Sequence, residues 1–73
     1  MDENIINEVR KFRFLNGEMT QEQLAERVGV SRQTIIAIEK GKYNPSVSLA
    51  LRIARVFMVA VEEVFQLDGK EKP

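Results

Sequence analysis

The sequence has no cysteine and no histidine among its 73 residues. Without cysteine, the chain has no disulfide framework, no thiolate nucleophile and no cysteine-ligated metal. It also lacks histidine as a general acid or base, a glycine-rich phosphate-binding loop, and a carboxylate pair spaced for a shielded cleft. We therefore expect that the protein is not an enzyme and uses no metal or other cofactor.

Long apolar segments are also missing. No apolar run approaches the roughly 20 residues that cross a membrane, and the acidic, polar start at residues 1–4 does not resemble a signal peptide. With 44% hydrophobic and 30% charged residues, we expect a soluble, cytoplasmic protein without membrane contacts. The length of 73 residues predicts one domain, with no separate sensor domain and no evident small-molecule ligand, and the composition suits an all-α fold.

The chain has no net charge, because 11 basic residues balance 11 acidic ones. Nucleic-acid-binding domains usually carry a basic excess, so this balance argues mildly against such a function. The distribution matters more than the sum, since residues 31–55 have a local charge of +4 with Glu39 as their one acid. For Arg52 and Arg55, phosphate contact and plain surface charge stay equally open. The basic residues of this segment are Arg32, Lys40, Lys42, Arg52 and Arg55, and a second cluster in the first helix contains Arg10, Lys11 and Arg13.

Residues 20–41, TQEQLAERVGVSRQTIIAIEKG, form the most informative segment. Thr20 and Gln23 have the spacing of a capping box at the start of a helix. Gly29 suits the positive φ of a sharp turn, and Ser31 can cap a second helix. The apolar positions that would pack the corner between the two helices are Leu24, Ala25, Val28, Val30, Ile35 and Ile38. This pattern predicts a helix-turn-helix, in which the second helix enters a DNA major groove.

The segment resembles the Cro/repressor-type, or XRE-like, helix-turn-helix regulators, and the resemblance extends from about Val9 to Phe65. The matching segments are TQEQLAERVGVSRQTI, IEKGKYNPS, LALRIARVF and VEEVF. The resemblance implies a compact bundle of five short helices, similar to the DNA-binding domain of lambda repressor. It also implies transcription regulation through double-stranded operator DNA, with the protein bound as a two-fold homodimer.

Periodicity and capping residues predict one domain at residues 1–67 and a flexible tail at residues 68–73. The first helix is expected from about Asn4 to Phe14. Its inward-facing residues are expected to be Ile5, Ile6, Val9 and Phe12. The other four helices are expected at residues 21–28, 32–40, 47–57, and 61 to 65 or 67.

The sequence departs from the family pattern at two places. The connection after the first helix, which contains Asn16 and Gly17, is one residue longer. Met58 stands where glycine usually ends the fourth helix, and Ala60 stands where a serine or threonine usually caps the fifth. A non-glycine residue in the left-handed conformation costs roughly 1 kcal/mol, and a missing cap about as much. Either the fourth helix ends differently here, or burial of Met58 and Val59 compensates.

The third helix is expected to carry the base-reading side chains. Because Ile35 and Ile38 face inward, the outward positions are Arg32, Gln33, Ile36 and Ala37. Arginine can form two hydrogen bonds with guanine and glutamine two with adenine, and Ala37 can touch a thymine methyl group. For Ile36, a place at the edge of the core is favoured over base contact.

A further set of residues is expected at the phosphate backbone: Gln21, Ser31, Thr34, Lys40, Lys42, Tyr43 and Asn44. Gln21 begins the second helix, whose free N–H groups can also bind a phosphate. The alternative is that Gln21 only starts that helix. For Tyr43, phosphate contact and local packing beside Pro45 are equally open.

In relatives, an arginine late in the first helix pairs with a glutamate of the third helix. The resemblance therefore implies an ion pair between Arg13 and Glu39 that joins these helices. Because the connection after the first helix is longer, Arg10 is an alternative partner for Glu39. The alternative is that Glu39 is exposed and repels phosphate.

Two functions stay open: a dimeric DNA-binding regulator, and a protein-interaction or antitoxin-like module with the same fold. The outward Ile36 and the apolar side chains near the C-terminus give the second some support. A domain of this size buries only about 60% of its unfolded surface, so we expect modest stability unless the chain dimerises. The residues expected at the dimer interface are Val61, Phe65 and Leu67.

Overall fold

The computed structural model describes residues 4–68. Within this range the chain forms five helices and two short strands. In order, these elements are β1 (Ile5–Asn7), α1 (Val9–Leu15), α2 (Gln21–Val28), α3 (Arg32–Glu39), α4 (Val47–Phe57), α5 (Val61–Val64) and β2 (Phe65–Leu67). Residues 69–73, which make up most of the predicted flexible tail, lie outside the described residues.

The predicted turn between α2 and α3 is confirmed. Thr20 Oγ1 accepts a hydrogen bond from the Gln23 N–H at 3.0 Å, and Gln23 Oε1 accepts one from the Thr20 N–H at 2.9 Å. Gly29 ends α2 with a φ of 78°, a conformation that glycine adopts without strain. Ser31 then caps α3 through its Oγ, which accepts from the Thr34 N–H at 3.2 Å. The two helices therefore begin and end where their local sequence signals lie.

The core lies between the inner faces of the five helices. Its twelve buried side chains are all apolar, and no polar or charged residue in the described part of the chain is buried. Phe12 of α1 stacks against Phe57 at the end of α4, with ring centroids 5.6 Å apart. The buried residues are Val9, Met19, Leu24, Ala25, Val28, Ile35, Ile38, Leu49, Ile53, Ala54, Phe57 and Val64.

The five predicted helices are present in the described residues, but the fold is not purely α-helical and the first helix begins at Val9 rather than at Asn4. Ile5–Asn7 forms β1 and pairs antiparallel with Phe65–Leu67, with Ile6 opposite Gln66. Asn7 sets the boundary, because its Oδ1 accepts from the Val9 N–H at 3.1 Å and its Nδ2 donates to the Ile38 carbonyl at 2.9 Å. The β-branched pair Ile5–Ile6 also favours a strand. Ile6, predicted to face inward, is 46% exposed.

The fifth helix is shorter than predicted. It ends at Val64 rather than at Phe65 or Leu67, because Phe65 adopts extended backbone angles of −124° and 129°. The residues after Val64 instead pair with β1, whose residues 5–7 lie opposite residues 65–67. The Glu8 N–H donates to the Val64 carbonyl and the Asp68 N–H to the Asn4 carbonyl, both at 2.8 Å.

The junction between α4 and α5 keeps the backbone that glycine would favour. Met58 has a φ of 60° and a ψ of 42°, so α4 ends where the family pattern places its end. Met58 is 88% exposed, which means that its own burial does not compensate for the left-handed conformation. Ala60 has no side-chain oxygen to cap α5, although Glu63 Oε2 accepts from its N–H at 3.4 Å.

We predict that Met58→Gly raises the free energy of unfolding by about 1 kcal/mol, because glycine adopts the left-handed conformation without a Cβ clash. Met58→Ala is the matched control, since it keeps the Cβ and removes only exposed side-chain atoms; we expect a change within about 0.5 kcal/mol. Urea denaturation of the three proteins measures both differences. A Met58→Gly protein no more stable than the parent would contradict the assigned strain.

Candidate nucleic-acid interface

A carboxylate at the end of α3 joins three helices. Glu39 Oε2 lies 2.7 Å from Arg13 Nε of α1, and Glu39 Oε1 accepts from Arg13 Nη2 at 3.1 Å. Glu39 Oε1 also accepts from Gln21 Nε2 of α2 at 3.1 Å. The fourth contact runs from Arg13 Nη1 to the Met19 carbonyl at 2.8 Å, in the connection between α1 and α2. We refer to Arg13, Gln21 and Glu39 as the Glu39 network.

The Glu39 network is largely shielded from solvent. The side chains of Arg13 and Glu39 are 15% and 9% exposed, and their two parallel hydrogen bonds match the planar guanidinium to the carboxylate. Arg13, not Arg10, therefore occupies the position beside Glu39. Because Arg13 neutralises it, Glu39 contributes little repulsion toward a phosphate.

The outer face of α3 carries the side chains predicted to read bases. Arg32 and Gln33 are exposed in the first turn of this helix, while Ile35 and Ile38 are buried on its inner side. The other two predicted readers, Ile36 and Ala37, are both half-buried. Only the first turn thus projects long polar side chains well into solvent.

At the start of α3, two hydroxyl groups already have partners within the chain. Ser31 Oγ and Thr34 Oγ1 lie 3.1 Å apart, and the same Ser31 oxygen accepts from the Thr34 N–H. A hydroxyl can still accept or donate a further hydrogen bond. Gln21 is similar, since one donor of its half-buried amide is used by Glu39.

An open groove separates α1 from the outer face of α3. It has a volume of about 890 Å³, with Arg10 and Phe14 on the α1 side and Arg32, Ile36 and Lys40 on the α3 side. The spacing of four residues along each helix aligns these side chains in two facing rows. Cations of both helices therefore flank the groove, and its acidic residues are Glu18, Glu22 and the paired Glu39.

The connection after α3 presents the remaining predicted phosphate contacts. Lys40, Lys42, Tyr43 and Asn44 are all exposed. The Lys42 N–H donates to the Ala37 carbonyl at 2.9 Å, which ties the start of this connection to the end of α3. Together with Arg32, these side chains form a polar surface, partly cationic, that continues from α3 into the loop.

Arg52 has a structural contact that the sequence did not indicate. Its Nη1 donates to the Val28 carbonyl at 2.9 Å, so it pairs with the C-terminal end of α2, where a positive charge is favourable. This carbonyl lies 24 residues away, and no local spacing marks such a pair. Arg52 is therefore fixed at the C-terminal end of α2, whereas Arg55 is exposed and makes no such contact with residues 4–68.

Comparison with known proteins shows the family to which this chain belongs. The helix-turn-helix family model matches residues 9–64. The chain belongs to the XRE-type helix-turn-helix family. Members of this family regulate transcription, and it is not a family of enzymes. No helix in the described residues is long and apolar enough to cross a membrane.

Several relatives cover most of both chains. An uncharacterized HTH-type transcriptional regulator of Archaeoglobus fulgidus is 56% identical over 63 residues, which are 86% of this chain and 89% of the relative. One from Methanocaldococcus jannaschii is 52% identical over 65 residues, or 89% and 97% of the two chains. Among solved structures, the restriction-modification controller protein C.AhdI from Aeromonas hydrophila superposes with a TM-score of 0.69 at 29% identity, covering 75% of this chain and 78% of its own.

We predict a large coupling between Arg13 and Glu39 in a double-mutant cycle. Either Arg13→Ala or Glu39→Ala should lower the free energy of unfolding by about 2–4 kcal/mol, because the remaining charge stays shielded without its partner. The double variant should lose less than the two single losses together, with a coupling of about 1–3 kcal/mol.

Urea denaturation measures all four proteins of the cycle. Arg10→Ala is the control on the same helix, since the Arg10 side chain has no ion pair within the described residues; we expect a change within about 0.5 kcal/mol. Strictly additive losses at Arg13 and Glu39 would contradict the pairing.

Proposed function

We propose that the protein is a sequence-specific transcriptional regulator that places α3 in the major groove of double-stranded DNA. The observation that carries this proposal is the exposure of Arg32 and Gln33 on the first turn of a helix whose opposite side is fixed by the Glu39 network. In helix-turn-helix complexes, the N-terminal residues of the second helix contact base edges. Arg32 and Gln33 have the side chains suited to guanine and adenine, respectively.

The proposed DNA contacts fall into two groups. Arg32 and Gln33 contact bases, with Ala37 and the half-buried Ile36 as apolar neighbours of a thymine methyl group. The phosphate contacts come from the start of α2 and from the region around α3, and they are Gln21, Ser31, Thr34, Lys40, Lys42, Tyr43 and Asn44. The exposure of the four loop residues supports this assignment. The phosphate contacts position α3, whereas the base contacts select the sequence.

We further propose that two copies bind a palindromic operator, each placing α3 in one of two major-groove segments about 34 Å apart. The residues proposed at the interface are Val61, Phe65 and Leu67. Val61 and Phe65 are half-buried against their own core, so they would contribute mainly by positioning Leu67, which is 56% exposed. The cytoplasm is the compartment in which such a regulator would act.

A protein-interaction module is the alternative function. It is favoured by Phe14 and Leu15 at the end of α1, which are 67% and 66% exposed although both are large and apolar. The salt dependence of binding affinity distinguishes the two functions. Contacts with phosphates release counterions, so DNA affinity should fall steeply as salt rises, whereas an apolar protein interface should not weaken.

The test begins with selection of bound sites from random DNA, followed by affinity measurements on the selected site. Gln33→Ala should weaken binding to that site by about 5- to 150-fold, corresponding to 1–3 kcal/mol for the loss of one base contact, and should relax selection at one base pair. Its affinity for unrelated DNA should change little.

Lys42→Ala is the matched variant for a phosphate contact. It should weaken binding to selected and unrelated DNA by a similar factor and reduce the slope of log affinity against log salt by about 1. Failure to enrich any DNA sequence, together with salt-independent binding, would rule out the proposed function.

A further inference from the structure

Within residues 4–68, the second strand of the small sheet pairs with β1 along one edge and with no strand along the other, which we call its open edge. The Asp68 N–H bonds to the Asn4 carbonyl and the Glu8 N–H bonds to the Val64 carbonyl, so even-numbered residues form the hydrogen-bonded pairs of the ladder. In an antiparallel ladder the alternate residues direct their backbone groups away from the partner strand. Leu67 therefore directs both its N–H and its C=O toward the open edge of β2.

This open edge carries none of the usual protection against pairing. Natural edge strands are often blocked by lysine and other charged residues or by proline, but β2 consists of Phe65, Gln66 and Leu67. The Gln66 side chain does not block the edge either, because its amide donates back to the Glu62 carbonyl at 3.1 Å. A second strand can therefore approach without facing a charge from these three residues.

Leu67 also offers apolar area at this edge. It lies on the same face of the ribbon as Phe65, which packs against the core, yet 56% of Leu67 remains exposed. Its cross-strand partner Ile5 is half-buried, so Leu67 is the more exposed apolar residue of this pair. A strand added beside β2 would bury part of Leu67.

We propose that β2 pairs antiparallel with β2 of a second copy, around a two-fold axis at Leu67. The N–H of each Leu67 would donate to the C=O of the other, because one residue that offers both groups on one edge is complementary to itself under two-fold symmetry. The two ribbons become one four-stranded sheet, and the two Leu67 side chains meet on one face. The role of this pairing is to link two copies of α3 on one operator, and that role rests on the proposed function.

The absence of cysteine from the sequence allows a direct test with single-cysteine variants of the full chain. The Cα atoms of a hydrogen-bonded antiparallel pair lie about 5.5 Å apart, which a disulfide can span. Leu67→Cys should therefore form a covalent dimer under mild oxidation. Val47→Cys, at a 76% exposed position on α4, is the control for random collision and should stay monomeric under the same conditions.

Leu67→Lys provides a second measurement that does not depend on disulfide geometry. Sedimentation equilibrium should show the dimer dissociation constant rising by about tenfold or more, because a charge meets its own copy at the axis. Circular dichroism checks that this variant still folds. Wild-type protein that is monomeric, or cross-linking that is no faster in the Leu67→Cys variant than in the Val47→Cys control, would overturn the strand pairing.

The Ile5→Cys variant tests whether the interface lies at the β1 edge of the ribbon rather than at the β2 edge. Cross-linking that is faster there than in Leu67→Cys would assign the interface to β1 and contradict the proposal. Affinity for the selected DNA site is measured on the same proteins. Intact DNA binding without the Leu67 interface would reject only the strand pairing and leave the regulator function standing. Leu67→Cys protein that cross-links but has no affinity for DNA would support the strand pairing and reject the regulator function.

Discussion

The position of α3 depends on one carboxylate. Glu39 receives hydrogen bonds from Arg13 of α1 and Gln21 of α2, so the C-terminal end of α3 is attached to both helices that precede it. At the other end, Ser31 caps α3 directly after the turn at Gly29. With both ends fixed and its inner isoleucines buried, α3 has one face left to present. That face begins with Arg32 and Gln33.

The rest of the fold supports this arrangement from outside the helix-turn-helix. Asn7 Nδ2 donates to the Ile38 carbonyl, so the small sheet contacts the same end of α3 that carries Glu39. Arg52 of α4 contacts the last carbonyl of α2. These two hydrogen bonds connect elements that are far apart in the chain to the C-terminal ends of α3 and α2, respectively. Both hydrogen bonds help to fix α2 and α3 against a core that contains twelve buried apolar residues in the described part of the chain.

The structural features that could be predicted from sequence are those whose cause is local. The capping box at Thr20 and the left-handed turn at Gly29 each depend on residues within a few positions. The strand β1 could not be predicted, because Ile5, Ile6 and Val9 also fit helical spacing and the strand partner of Ile6 is the distant Gln66. The contact of Arg52 with Val28 has no sequence signature for the same reason. The choice of Arg13 as the neighbour of Glu39 came from the family resemblance, since spacing alone left Arg10 open.

The most direct test of the account is a titration of ¹⁵N-labelled protein with the selected DNA site, followed by amide chemical shifts. We expect the largest changes at residues 31–37 and 40–44, because these amides lie on the proposed DNA-facing surface. A non-selected duplex at the same salt concentration should leave the first turn of α3 much less affected. Large changes confined to α4 and β2, with Arg32 and Gln33 unchanged, would contradict the claim that the Glu39 network presents α3 to DNA.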